Sequence, residues 1–182
     1  MKRGLVYAIA VFSLLGLAMP LAAADGDSGG KWGLMFSAQN LLAPNGYKDG
    51  YQPGAGVKYW ITPAIAARGL LSIEYNKPKG SDISTTLLGF GLAGEWHPKS
   101  AGVSPYLGPL LGLQSQMITD QTTLMNLYIG ALFGAEFKVI GPLSAYAEYD
   151  LVASWDSNGT TVSLGTDGSG GGKAMIGFIV YF

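Results

Sequence analysis

A single histidine, no cysteine, 11 basic and 12 acidic residues in 182 positions bound the chemistry open to this chain. Without cysteine there is no thiol nucleophile and no thiolate zinc site. His97 follows Glu95 by two residues, a spacing that could pair a base with a carboxylate. It also stands beside Pro98 in a connection between candidate strands. A Ser-His-acid centre needs an oriented serine as well, and nothing near His97 in sequence indicates one, so His97 is expected to be a turn residue. One histidine is too few for a structural metal cluster. Gly89-Phe-Gly-Leu-Ala-Gly94 matches G-x-G-x-x-G, but a dinucleotide site needs that motif between a strand and a helix. Here it lies inside an alternating stretch, so its glycines read as small positions of a strand. Gly170-Gly-Gly-Lys173 lacks both the first glycine and the Ser/Thr of a phosphate loop, and Asn158-Gly-Thr160 reads as turn chemistry. No catalytic, cofactor-binding or metal-binding residues are assigned.

The elements that carry these residues have a period of two. From Leu143 one face reads Leu143, Ala145, Ala147, Tyr149, Leu151, Ala153 and Trp155, and the other reads Ser144, Tyr146, Glu148, Asp150, Val152 and Ser154. From Met125 the apolar face continues through Leu127, Ile129, Ala131, Phe133, Ala135 and Phe137, against Asn126, Tyr128, Gly130, Leu132, Gly134, Glu136 and Lys138. The same separation recurs around 32–40, 55–62, 68–76, 87–96, 106–116 and 173–182, which makes about eight strands at hairpin spacing. The connections alternate in character. Those near 41–52, 77–82, 117–122 and 156–171 are polar, whereas those near 62–65, 97–104 and 139–142 are mostly shorter and carry Pro63, Pro98 and Pro142.

A soluble sandwich also alternates, with its apolar face turned inward. Here the apolar faces are long, and the opposite faces mix glycine with charge instead of forming a solvated coat. Trp32, Tyr59, Trp96 and Phe137 fall at one level and Tyr75 and Trp155 at the other, as aromatic girdles do at two lipid interfaces. The pattern predicts an all-β fold: an eight-stranded antiparallel up-and-down transmembrane β-barrel with short turns at one end and longer loops at the other.

Export fits this reading. Lys2 and Arg3, the apolar run 4–21 and the alanines 22–24 have the form of a secretory signal peptide over 1–24, with the barrel domain over 25–182. Cleavage after Ala24 would leave 182 − 24 = 158 residues carrying 11 − 2 = 9 basic and 12 acidic groups, a formal charge of −3. Charged residues are 13% of the chain, against about 25% in an average protein. Together with the 48% hydrophobic content, this excludes a disordered chain and a basic nucleic-acid binder.

On these residues the chain resembles the small outer-membrane β-barrel superfamily of Gram-negative bacteria, the class of the OmpA membrane domain, OmpX and OmpW. Its end, Lys173-Ala-Met-Ile-Gly-Phe-Ile-Val-Tyr-Phe182, is similar to that family's assembly signal, with Phe178, Val180 and Phe182 in the alternate positions. Ile61-Thr-Pro-Ala-Ile-Ala-Ala-Arg-Gly69, Ser104-Pro-Tyr-Leu-Gly108 and Pro142-Leu-Ser-Ala-Tyr-Ala-Glu-Tyr-Asp150 resemble its turns and strands. The resemblance implies a monomer in the outer membrane, with lipid around it and barrel-assembly machinery and periplasmic chaperones as partners during export. It also implies periplasmic termini and extracellular long loops. Pro109 departs from a clean strand and predicts a bulge.

Parity then places Lys58, Arg68, Glu95, Glu136, Lys138 and Glu148 inside the barrel, mostly toward the periplasmic half. They are expected to form a salt-bridged polar network there, with Arg68 paired to Glu95 or Glu148. Inward Trp60, Tyr106, Tyr128, Tyr146 and Tyr181 would fill the lumen. The function expected is non-enzymatic, in envelope integrity or surface contacts. A narrow channel for small or hydrophobic solutes is the alternative, and a lipid-modifying enzyme comes third.

Overall fold

The structure is a computed structural model, and it describes residues 31–39, 54–80, 82–98, 102–119, 123–156, 162–164 and 172–182. The leader over 1–24, the domain start at 25 and most of the loops 41–52 and 156–171 lie outside these residues. The described strands are β1 (Trp32–Gln39), β2 (Ala55–Thr62), β3 (Ile65–Asn76), β4 (Thr85–Trp96), β5 (Val103–Ile118), β6 (Leu124–Ile140), β7 (Leu143–Asp156), β8 (Val162–Leu164) and β9 (Gly172–Tyr181). No helix occurs among the described residues.

Each strand from β1 to β7 pairs antiparallel with the next, and β9 pairs with both β7 and β1. β8 lies along the far part of β7, from Trp155↔Val162 to Ala153↔Leu164, and β9 takes over from Leu151↔Gly172. The two segments therefore share the eighth position of a closed, all-antiparallel barrel. The last residue completes the ring: the Phe182 N–H donates to the Trp32 carbonyl at 3.0 Å and the Tyr181 N–H to that of Pro142 at 2.9 Å. Closure leaves no free edge where these strands meet.

Strand ends fall where the sequence changes chemistry. Pro63-Ala64 and Gly141-Pro142 make tight turns at the end that also holds Trp32 and Phe182, and residues 97–102 connect β4 to β5 there. Gly141 has φ +52, the left-handed conformation that glycine adopts without strain. This is the turn end. The longer connections, such as 77–84 between β3 and β4, lie at the opposite, loop end.

Pro109 produces no bulge. Leu110 pairs with Ala93 and Leu107 with Trp96 in one unbroken register, and Pro109 itself is opposite Ala131 on β6. The bridges opposite Gly94 and Glu95 are missing while the strand stays in step. A missing donor here interrupts the ladder without inserting a residue.

The faces sort as the alternation predicts. Twenty-five large apolar side chains are exposed on the described surface, among them Phe36, Ile73, Phe90, Leu111, Ile129, Phe133 and Phe178. Soluble monomers rarely expose contiguous apolar patches beyond a few hundred Å². Trp32 stacks on Tyr59 with ring centroids 4.5 Å apart at the turn end, and exposed Tyr75 and Trp155 mark the loop end.

Inside, Met35, Leu70, Ala93, Leu110, Leu132, Val152 and Ile179 join Tyr106, Tyr128 and Tyr146 in one buried apolar cluster. Met35 stands opposite Gly56 and Ile179, and Gly56 opposite Leu70, so part of the layer crosses neighbouring strands in one row. Two tyrosines need glycine to fit. A Cβ on Gly134 would lie 2.6 Å from the Tyr106 ring, and one on Gly177 2.5 Å from the Tyr146 ring.

A candidate site: the buried ionic chain at the turn end

Below the apolar layer, toward the turn end, the inward positions change from hydrocarbon to charge. On β2 the step is from Gly56 to Lys58, on β3 from Leu70 to Arg68, on β4 from Ala93 to Glu95 and on β6 from Leu132 to Glu136. The alternation that turns leucine and phenylalanine outward turns these groups inward. Lys58 is 0% exposed, Glu95 2%, Arg68 3%, Glu148 4% and Glu136 7%. Burying a charge is costly unless it is paired and hydrogen-bonded, and each of these groups has partners.

They form a chain of alternating sign across the lumen. The Tyr181 hydroxyl donates to Glu136 Oε1 at 2.8 Å, and Glu136 Oε2 is 2.8 Å from Lys58 Nζ. Lys58 Nζ is 2.6 Å from Glu95 Oε2, and Glu95 Oε1 is 3.1 Å from Arg68 Nη1. Arg68 Nη2 then reaches Glu148 Oε1 at 2.5 Å. Six strands contribute to this line, and several of its links join strands that do not pair. The Lys58 ammonium also lies 4.7 Å from the Trp60 ring centroid and 5.4 Å from that of Tyr106, within cation–π range.

The far end of the chain is less fully matched. Arg68 Nε, Tyr106 OH and Glu148 Oε2 have no protein hydrogen-bond partner among the described residues. Two cations face three carboxylates, so with neutral His97 the cluster carries 2 − 3 = −1.

His97 corrects the expectation of a turn residue. It is 3% exposed and lies within the cluster, its ring 4.4 Å from that of Trp60 and 5.1 Å from that of Tyr106. Its Nε2 is 2.8 Å from Glu95 Oε2 and 3.3 Å from Lys58 Nζ, while Nδ1 is 2.8 Å from Ser104 Oγ. With the ring proton on Nε2, His97 donates to Glu95 and accepts from the Ser104 hydroxyl. The signal was present in the sequence: His97 continues the inward parity of Ala93 and Glu95 by one more step, past the formal end of β4 at Trp96.

Ser104, His97 and Glu95 therefore have the connectivity of an acyl-transfer triad. Their surroundings oppose that chemistry. The triad carboxylate should stabilise the imidazolium that forms when the base takes a proton, yet Glu95 is already bound by the cations Lys58 and Arg68. The arrangement fits a hydrogen-bonded wedge between strand ends better than a nucleophile.

Five of the six charges named from sequence are brought together. Lys138 is not: it is exposed at the end of β6, where the β6–β7 register shifts between Lys138 and Ile140. Lys138 keeps the register of Glu136, opposite Ser144, and the shift follows it; its exposure comes from its place near the end of β6. Of the residues expected at the assembly signal, Phe178 and Phe182 are exposed and Val180 is half-buried.

No protein-family model matches the chain, and no curated protein matches it. Among solved structures it is similar to Ail, the attachment invasion locus protein of Yersinia pestis, at 19% identity over 87% of this chain and 100% of that one, with a TM-score of 0.41. It is also similar to the de novo designed TMB2.3, at 17% identity over 85% of this chain and 95% of that one, with a TM-score of 0.37. At these scores the fold assignment rests on the strand pairing itself.

Proposed function

We propose that the chain is an integral outer-membrane β-barrel protein with a closed lumen, serving envelope integrity or surface contacts rather than catalysis or diffusion. The observation that carries this reading is the inversion of faces: hydrocarbon covers the outside, and paired charge lies within. An exterior of this kind is matched by lipid, and an eight-stranded barrel has a bore just wide enough for side chains to fill. The ionic chain blocks the turn end, and the apolar cluster lies beyond it. An ion would have to displace charged partners and then cross a hydrocarbon layer.

The termini and tight turns belong on the periplasmic side, because outer-membrane barrels keep their short turns there. In this setting the terminal Phe182 serves recognition by assembly machinery, with chaperones and lipid as the other partners and a monomer as the working state. The decisive experiment is conductance of the folded protein in a planar bilayer. Silence is expected, and steady ohmic conductance would replace this reading with the narrow channel.

A further inference from the structure

Three polar atoms at the far end of the ionic chain lack a protein partner, and they lie together. Arg68 meets Glu148 through a single oxygen: Nη2 reaches Oε1, while Arg68 Nε and Glu148 Oε2 are unmatched among the described residues. A guanidinium facing a carboxylate frequently makes two parallel N–H···O bonds, and here the second is not made. The Tyr106 hydroxyl is the third unmatched atom. It lies over Gly134, where an added Cβ would stand 2.6 Å from it, and Gly134 is the register partner of Glu148. Glu148 and Arg68 are also the charges that act on this hydroxyl most strongly.

Bulk solvent does not serve these atoms, because Arg68 and Tyr106 are 3% exposed and Glu148 4%. Buried polar atoms are, in the large majority, hydrogen-bonded to protein or to ordered water. The chemistry of the three decides which small species suits them. Arg68 Nε–H can only donate, the ionised Glu148 Oε2 can only accept, and the Tyr106 hydroxyl can do either. A cation would meet the guanidinium and an anion the carboxylate, each at like charge. A neutral molecule that both donates and accepts satisfies all three.

We propose that Arg68 Nε, Glu148 Oε2 and Tyr106 OH form a binding site for one internal water molecule. The water accepts from Arg68 Nε–H, donates to Glu148 Oε2 and completes its bonding with the Tyr106 hydroxyl. Internal waters typically make about three hydrogen bonds, the number these atoms supply. One held water does not expose the ion pair to bulk solvent, and the direct bond from Nη2 to Oε1 remains. The site needs only the closed barrel and is independent of the role assigned to the protein in the envelope.

The test exploits the arginine content. The chain has two arginines, Arg3 and Arg68, so an Arg3→Lys variant leaves a single arginine Nε–H resonance, from Arg68. Folded, nitrogen-15-labelled protein in detergent micelles is expected to show a water cross-peak at that proton. Its sign should be that of a water held for longer than the barrel takes to tumble. Tyr106→Phe removes the hydroxyl that might relay exchange with solvent, and the cross-peak should persist because Arg68 and Glu148 still bind the water. Heat-modifiable mobility on gels confirms that each variant folds. A crystal structure of the unsubstituted chain should place a water within hydrogen-bond distance of all three atoms, and this reading stands even if Tyr106→Phe fails to fold. A direct bond from Nε to Oε2 overturns the proposal, as does a metal ion at the site or the absence of any cross-peak. Loss of the cross-peak in folded Tyr106→Phe would trace it to the hydroxyl and overturn the proposal likewise. A sign belonging to rapidly exchanging solvent would also overturn it, and would favour the narrow channel over a closed lumen.

Discussion

Arg68 on β3 reaches across the lumen to Glu148 on β7, Nη2 to Oε1 at 2.5 Å, although β3 and β7 share no backbone pairing. The contact braces the barrel from within, where the sheet's own hydrogen bonds cannot act. Removing one partner of a dry buried pair typically costs about 3–5 kcal/mol, because the other charge is left uncompensated. Arg68→Ala should lose about that much in urea unfolding of the folded barrel. Arg68→Ala/Glu148→Ala should lose clearly less than the sum of the single variants, and strict additivity would show that the two groups do not act as a pair.

Lys58 gives a sharper version of the same test, because it is wedged between Glu95 and Glu136. Lys58→Met keeps most of the bulk and removes the charge, so two carboxylates compete without their shared cation. The variant should be destabilised more than Arg68→Ala. Adding Glu136→Gln should restore part of the loss. No restoration would mean that packing of the lysine stem dominates, not its charge.

Ser104 separates the structural role of the His97 wedge from a catalytic one. A neutral hydrogen bond contributes about 0.5–1.5 kcal/mol net, so Ser104→Ala should lower stability by roughly that amount. A fluorophosphonate probe should leave the wild-type serine unlabelled. Stoichiometric labelling that disappears in Ser104→Ala would instead establish an acyl-transfer centre.

Much of this was legible in the alternation, which assigned faces strand by strand and put Lys58, Arg68, Glu95, Glu136 and Glu148 inside. The partners were not, because parity gives the face of a residue but not its height or what lies across the bore. Those depend on strand stagger around the full circumference, as the reach of Arg68 to both Glu95 and Glu148 illustrates. The misreadings fall at strand ends. His97 kept parity past β4, and Lys138 kept it opposite Ser144 but stands exposed near the end of β6. Ser104, seven residues beyond His97, became its neighbour only when the 97–102 connection folded β5 back.

Gly134 tests the fit between tyrosines and glycines. A methyl group there would lie 2.6 Å from Tyr106 and 2.5 Å from the Ala147 carbonyl, which is backbone and cannot swing away. Overpacking of this kind costs about 1–3 kcal/mol. Gly134→Ala should lower the urea midpoint measurably, while Gly94→Ala, where the nearest atom is 3.7 Å away, should be much milder. Equal effects would mean that strand propensity alone is being measured.

Deleting Phe182 removes the N–H donated to Trp32 and the terminal aromatic together. The expected outcome is lower outer-membrane abundance, with unassembled chain in the periplasm, read by fractionation and gel mobility. Unchanged abundance would deny Phe182 any part in assembly. In the same cells, a tag inserted after Gly80 should be open to external protease and one after Gly102 should not. The reverse pattern would turn the barrel over.

The wall is also lopsided in height. A membrane crossing needs about 9–11 tilted residues, yet β5 has 16 and β6 has 17, against 8 in the described β1 and in β2. At the loop end Ile118 of β5 stands level with Thr85 and Asn76, and Asp156 of β7 with Asn126, so β3 to β7 rise together on that side, while the described β2 stops at Ala55, opposite Leu71. In the proposed orientation, a partner outside the cell would meet this raised side before the described part of β2. The same two strands run without interruption down to Tyr106 and Glu136. A sideways pull on that raised side would load the ladder in shear and be resisted at its foot by the ion pair of Glu136 with Lys58.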